Sequence, residues 1–243
     1  METEKGVIKM KKTAIVSTAF LAAMTLASVS VGGVQAADVA QTKNTATADV
    51  TFKANDSETK PVNPVDPSKP VDPTKPTDPA DPSNPGTGNA GPLSIDFVSN
   101  IHFGTQKIQD APYSATNENA HIQVTDKRGT GAGWQASAAI SDFKGTKDGK
   151  DVTLNGAQLA LNNGAIKSTP NNAATAPTTE KTITLGADNK PVMTAADGTG
   201  QGTWIDLFAN QSDITLTVPA GNIVSDVQYN ATITWTLGDT PQG

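Results

Sequence analysis

The stretch Thr203-Trp-Ile-Asp-Leu-Phe208 sets a carboxylate between two aromatic rings. Side chains alternate along an extended strand, so Trp204, Asp206 and Phe208 share one face and Ile205 and Leu207 the other. Aromatic rings stack on the apolar faces of sugars, and a carboxylate accepts hydrogen bonds from hydroxyls. The chemistry this trio offers is therefore glycan binding. Burying Asp206 unpaired would cost several kcal/mol, so the aliphatic pair is expected inward and the aromatic pair outward. Trp204 and Phe208 would then stand about 13 Å apart as a rigid platform. The competing reading is a covering segment, residues 162–181, packed on the rings.

Catalytic chemistry finds less support. The chain has no cysteine and two histidines. His102 falls on the polar face of one expected strand and His121 opens another, both read as solvated surface. No serine sits in a Gly-x-Ser-x-Gly setting. Two-carboxylate glycoside hydrolysis needs two positioned acids, and from residue 92 onward the only glutamates are Glu118 and Glu180. No cluster of metal-ligating residues stands out, and no cofactor motif is present. The expectation is a protein without catalytic residues, metal or cofactor.

Positioning such groups requires strands, and the chain supplies them from Pro92 on. Leu93, Ile95, Phe97, Ile101 and Phe103 alternate with polar residues, interrupted on their face only by Ser99. Short apolar or β-branched runs follow at Ile122–Val124, Trp134–Ile140, Val152–Leu154, Gln158–Leu161, Thr182–Leu185, Trp204–Phe208, Ile214–Val218 and Ile223–Leu237. Gly, Asn, Asp and Pro clusters separate most of them, as at Asp188-Asn-Lys-Pro191. No segment shows the 3.6-residue apolar period of a helix. A two-sheet β-sandwich over 92–243 is the most economical packing. The Asn-, Thr- and Ala-rich segment 162–181 reads as a mobile loop.

The first 36 residues read as a secretory signal. Lys9, Lys11 and Lys12 precede an apolar run densest from Ala19 to Leu26, and Val34-Gln-Ala36 offers a cleavage site. Processing there removes four lysines and two glutamates from a chain already at −6, leaving it more acidic and without a membrane-inserted segment. An acidic chain lacking a basic patch argues against nucleic acid and anionic membrane surfaces. Residues 37–60 read as disordered, and 61–91 as an Asp-Pro-rich linker. Prolines at every second or third position from Pro61 to Pro85 exclude helix and ladder and favour polyproline II, a rod of up to roughly 80 Å. Gly86 to Gly91 is expected as a flexible joint.

Two tryptophan triplets complete the picture. Trp134-Gln-Ala136 follows the glycine-rich lead-in Asp126-Lys-Arg-Gly-Thr-Gly-Ala-Gly133, and Trp235-Thr-Leu237 lies in Tyr229-Asn-Ala-Thr-Ile-Thr-Trp-Thr-Leu237. With Gly91-Pro-Leu-Ser-Ile-Asp-Phe97 and His102-Phe-Gly-Thr-Gln-Lys-Ile108 before them, these segments resemble, in order, the WxL-domain cell-surface proteins of low-GC Gram-positive bacteria. The family carries two Trp-x-Leu triplets; here the second is intact and the first ends in Ala136. The resemblance implies a secreted protein at the cell wall surface, attached non-covalently through peptidoglycan. It also implies possible assembly with a membrane-anchored WxL-interacting protein. After Leu237 the sequence holds no sorting motif or hydrophobic tail, in line with non-covalent attachment. Trp134, Trp235 and Leu237 are then either wall-binding or structural. Two classes stay open: a glycan-binding wall module, and a subunit that binds another protein through a sheet edge or apolar face.

Overall fold

The structure is a computed structural model that describes residues 44–72, 77–110 and 112–239. The signal segment expected over 1–36 lies outside the described residues. Residues 44–49 are exposed and have no regular secondary structure, and the chain from Val50 to Gly243 forms a compact unit of its own.

In chain order the strands are β1 (Leu93–Val98), β2 (Tyr113–Ser114), β3 (Ala120–Asp126), β4 (Trp134–Ile140), β5 (Lys144–Lys147), β6 (Lys150–Thr153) and β7 (Gln158–Asn162). They continue with β8 (Ala165–Ser168), β9 (Thr178–Thr179), β10 (Thr182–Leu185), β11 (Lys190–Ala195), β12 (Gly202–Phe208), β13 (Ile214–Thr217) and β14 (Ile233–Gly238). No α-helix occurs among the described residues. The chain is all-β, as the alternation predicts. Its antiparallel strands form three four-stranded sheets, ordered β1-β3-β12-β8, β10-β7-β13-β2 and β14-β4-β11-β9, plus the β5-β6 hairpin. One core joins the three: Ile95, Ile122, Val124, Trp204 and Phe208 from the first, Leu159, Leu161, Ile183 and Ile214 from the second, Trp134, Ala136, Ala138 and Met193 from the third. Three four-stranded sheets, all contributing side chains to this one core, stand where two sheets are expected from sequence.

The segment 162–181 is not a loop without structure. It contributes β8 to the edge of the first sheet beside β12 and β9 to the edge of the third beside β11. Both strands are short, four and two residues, and so too short to show the apolar alternation that marks a strand in sequence.

In β1 the register shifts at Asp96: Ile95 pairs with Val124 and Phe97 with Gln123. This bulge turns Phe97 out of the face that Ile95 occupies. Phe97 instead stacks on His121, ring centroids 4.3 Å apart and planes 9° from parallel. His121 is therefore buried, not solvated surface; His102 is exposed.

The outer face of the first sheet is not open to water, because the proline-rich segment lies across it. Val62 N donates to Gln123 Oε1 (2.9 Å), and Gln123 Nε2 donates to Lys60 O (3.3 Å). Lys167 Nζ donates to Val65 O (3.2 Å), Asn84 Nδ2 to Val98 O (2.8 Å) and Thr87 Oγ1 to Ile95 O (2.6 Å). Asp78 is buried and accepts from Asn117 Nδ2 (2.6 Å) and Glu118 N (3.3 Å). Upstream, Asn55 N donates to Lys127 O, and Lys127 Nζ reaches Ser57 O and Thr59 Oγ1. Residues 55–72 and 77–91 thus lie as a strap along the first sheet, where the sequence reading expects an extended linker.

The physical reason lies in the residues between the prolines. Proline cannot donate to a ladder, but Asn63, Asp66, Asp78 and Asn84 each accept from the backbone two residues on, folding the strap through successive side-chain turns. Under the strap sits a polar cluster. Asp96 accepts from Ser94 Oγ (2.6 Å), Thr125 Oγ1 (2.6 Å) and Gln123 Nε2 (2.9 Å). Ile205 and Leu207 lie beside it and are buried as well.

Candidate functional site

The glycine-rich turn before β4 decides where the first tryptophan goes. Gly129, Gly131 and Gly133 all take positive φ, and a Cβ on Gly133 would stand 2.4 Å from Ala195 O. Only glycine permits both the left-handed backbone and that approach. The turn delivers Trp134 to the core at 0% exposure, its Nε1 donating to Gly200 O at 2.9 Å. Gly200 fits tightly beneath: an added Cβ would lie 2.7 Å from Trp134 Nε1.

Arg128 explains the charged residues at the head of the same turn. Its Nε and Nη2 take both carboxylate oxygens of buried Asp126 (3.0 and 2.8 Å). Its Nη2 also donates to Gly133 O (2.6 Å) and its Nη1 to Asp239 O (2.7 Å). One bidentate guanidinium therefore ties the end of β3, the glycine turn and the residue after β14 together.

The two triplets are neighbours. β14 pairs antiparallel with β4, Trp235 opposite Ala138 and Leu237 opposite Ala136. Each cross-strand position thus joins a large side chain to a small one, and the alanine that ends the first triplet faces the leucine that ends the second. Trp235 and Leu237 are half-buried against the core, since β14 is an edge strand while β4 has partners on both sides. Trp134 is a structural post with no surface to offer a ligand.

The aromatic platform does not form. Trp204 is 5% and Phe208 4% exposed, both inside the shared core, with Trp204 Nε1 donating to Gln201 O (2.9 Å). The premise that fails is that one face of β12 meets water. β12 is central in its sheet, and with the strap outside it both faces are buried. Asp206 is held inward at 0% exposure. Thr179 Oγ1 donates to its Oδ2 (2.7 Å), its Oδ1 has no hydrogen-bond partner, and Gly164 leaves it room. Burial pushes the Asp206 pKa up to about 6 from an ordinary 3.8, the Thr179 bond offsetting part of the rise. His121 shifts the opposite way for the same reason: burial lowers it to about 4, against a bond from Nδ1 to Asn119 O (2.9 Å), and its Nε2 has no partner.

These shifts make stability pH-dependent with opposite signs. The native chain keeps the Asp206 proton longer than the unfolded chain does. That contribution is full below about pH 4 and is lost as pH rises to about 6. The His121 contribution is full above pH 6.5 and is lost as pH falls towards 4. The variant Asp206→Asn should therefore unfold at higher urea than the parent at pH 7, by about 1–3 kcal/mol. At pH 4 the difference should shrink to near zero. An equal difference at both pH values would mean that Asp206 titrates normally.

Sequence reasoning does not single out the concavity that the structure shows. A shallow cleft of about 570 Å³ is lined by Ser114, Glu118, Asn119, Ala209, Asn210, Gln211 and Ser212. Its rim is made of amides, hydroxyls and one carboxylate, groups that exchange hydrogen bonds with sugar hydroxyls and acetamides. Two local signals mark it: Asn119 takes positive φ, and Asn210 with Asp213 forms a reciprocal cap on the turn Gln211–Asp213. Neither is periodic, so neither registers as an element.

Residues 39–241 match the family model described as WxL domain surface cell wall-binding. No curated protein and no solved structure matches the chain.

Proposed function

Because the chain belongs to the family of WxL surface cell wall-binding domains, we propose that its folded domain holds peptidoglycan non-covalently and without catalysis. The protein is a cell-surface, wall-associated protein. Export through the signal at 1–36 and a Gram-positive wall belong to the same proposal. The observation that carries it is the extent of the match, 39–241, which takes in the strap as well as the sheets.

Within the domain the polar cleft between Glu118 and Gln211 is the surface best suited to glycan. Its side chains are exposed except for half-buried Asn119, whereas Trp134, Trp204 and Phe208 are buried and act by holding the sheets in place. Glu118→Ala combined with Gln211→Ala removes a carboxylate and an amide without touching the core. Titrated with soluble peptidoglycan fragments, this variant should bind about tenfold more weakly, or ~1.4 kcal/mol, with its melting temperature unchanged. Unchanged affinity would remove the cleft from the account.

A further inference from the structure

We infer that two copies of this chain pair through the free edges of β14, antiparallel and centred on Trp235, to join two domains into one continuous sheet. Hydrogen-bond direction along β4 fixes which backbone groups of β14 are free. Ser141 N donates to Thr232 O (3.0 Å), while Ile140 N turns the other way, to Gly186 O (2.8 Å). Backbone groups alternate in direction along an antiparallel strand. Ala139, Ser137 and Gln135 therefore face β14, and the groups that meet them belong to Thr234, Thr236 and Gly238. The amides and carbonyls of Ile233, Trp235 and Leu237 point away from β4, and no hydrogen bond reaches them among the described residues.

Edges of this kind are ordinarily protected by lysine, proline, a bulge or a covering loop. β14 has no charged residue and no proline, and its register with β4 runs unbroken over Ile233–Gly238. The occupant follows from the sequence. Ile233-Thr-Trp-Thr-Leu237 reads nearly the same in both directions. A two-fold axis at Trp235 sets Thr234 against Thr236 of the second copy, and Ile233 against Leu237. The residues whose backbone groups point outward then coincide, giving about six new hydrogen bonds. A two-fold contact brings each residue to a copy of the same surface, so charge on the strand would meet like charge; from Ala231 to Gly238 there is none. The pairing also covers the half-exposed edge beside Trp235 and Leu237.

The test exploits the register. In Thr234→Lys with Thr236→Lys, lysine faces lysine at two positions, whereas in Thr234→Lys with Thr236→Glu, lysine faces glutamate at the same two. Both threonines are exposed, so the fold should be unaffected, as a melting curve would verify. Sedimentation equilibrium of the chain from Ala37 to Gly243 should show a monomer–dimer equilibrium. The Lys/Lys variant should dissociate at least about tenfold more readily, and the Lys/Glu variant should recover the parent's constant. A parent that stays monomeric overturns the inference, as does a dimer that both variants leave intact or weaken equally. An edge that serves a strand of a different protein would appear here as the monomeric parent.

Discussion

Beginning the chain at Thr87 instead of Val50 should lower its unfolding free energy by several kcal/mol, although the described residues of the missing segment add no strand to the three sheets. The cover over Ile205, Leu207 and Phe97 would go, and leaving each such side chain exposed costs about 1.5–3 kcal/mol. Freedom regained by the strap offsets part of this. The Asp96 cluster would also lose Lys60 O and Val62 N, the groups that complete Gln123. Urea unfolding of the two lengths, with a dye that fluoresces on exposed apolar surface, measures the effect. Equal midpoints and no added dye binding would return residues 50–86 to the role of a tether.

Trp134→Ala should be the most damaging single substitution in either triplet, at about 3–5 kcal/mol. The side chain is fully buried, and its removal leaves a cavity as well as an unpaired Gly200 O. Its neighbour Gln135 lies on the opposite face of β4 and donates to Thr194 Oγ1 (3.3 Å), so the post is one indole alone. Trp134→Phe should recover most of the loss. Trp235→Ala should cost clearly less than Trp134→Ala, since half-burial at the sheet edge leaves less apolar surface to lose. Equal costs for the two alanine variants would contradict the division between an internal post and an edge residue.

That division shows what the sequence carries and what it leaves out. β4 and β10 have the bounds that alternation predicts, Trp134–Ile140 and Thr182–Leu185. Periodicity states which side chains share a face, but not how many partners a strand has. Trp134 and Trp235 therefore look alike in sequence and differ in burial, because β4 is flanked on both sides and β14 on one. Asp206 defeats the sequence reading for a related reason: strap and sheet bury both faces of β12, and only the fold reveals the second cover. Phe97 changes sides through a single bulged residue, which leaves no trace in the alternation of Leu93 and Ile95. Proline density over 61–85 leaves room for one antiparallel bridge, Val62 opposite Pro70, and for docking through Asn and Asp turns.

Motif and family are legible because they rest on residue identity: the glycines before Trp134 are fixed by positive φ and by the approach of Ala195 O. The polar cleft is not, because Glu118 and Gln211 are far apart in sequence and meet only when the chain folds. Wall attachment in this account belongs to the folded surface, with the tryptophans holding that surface in shape.

The most direct measurement is sedimentation of the purified chain from Val50 to Gly243 with peptidoglycan stripped of all protein. If the folded domain holds peptidoglycan by itself, the chain alone co-sediments saturably and is competed away by soluble peptidoglycan fragments. A chain that stays in the supernatant until a second surface protein is added would contradict it.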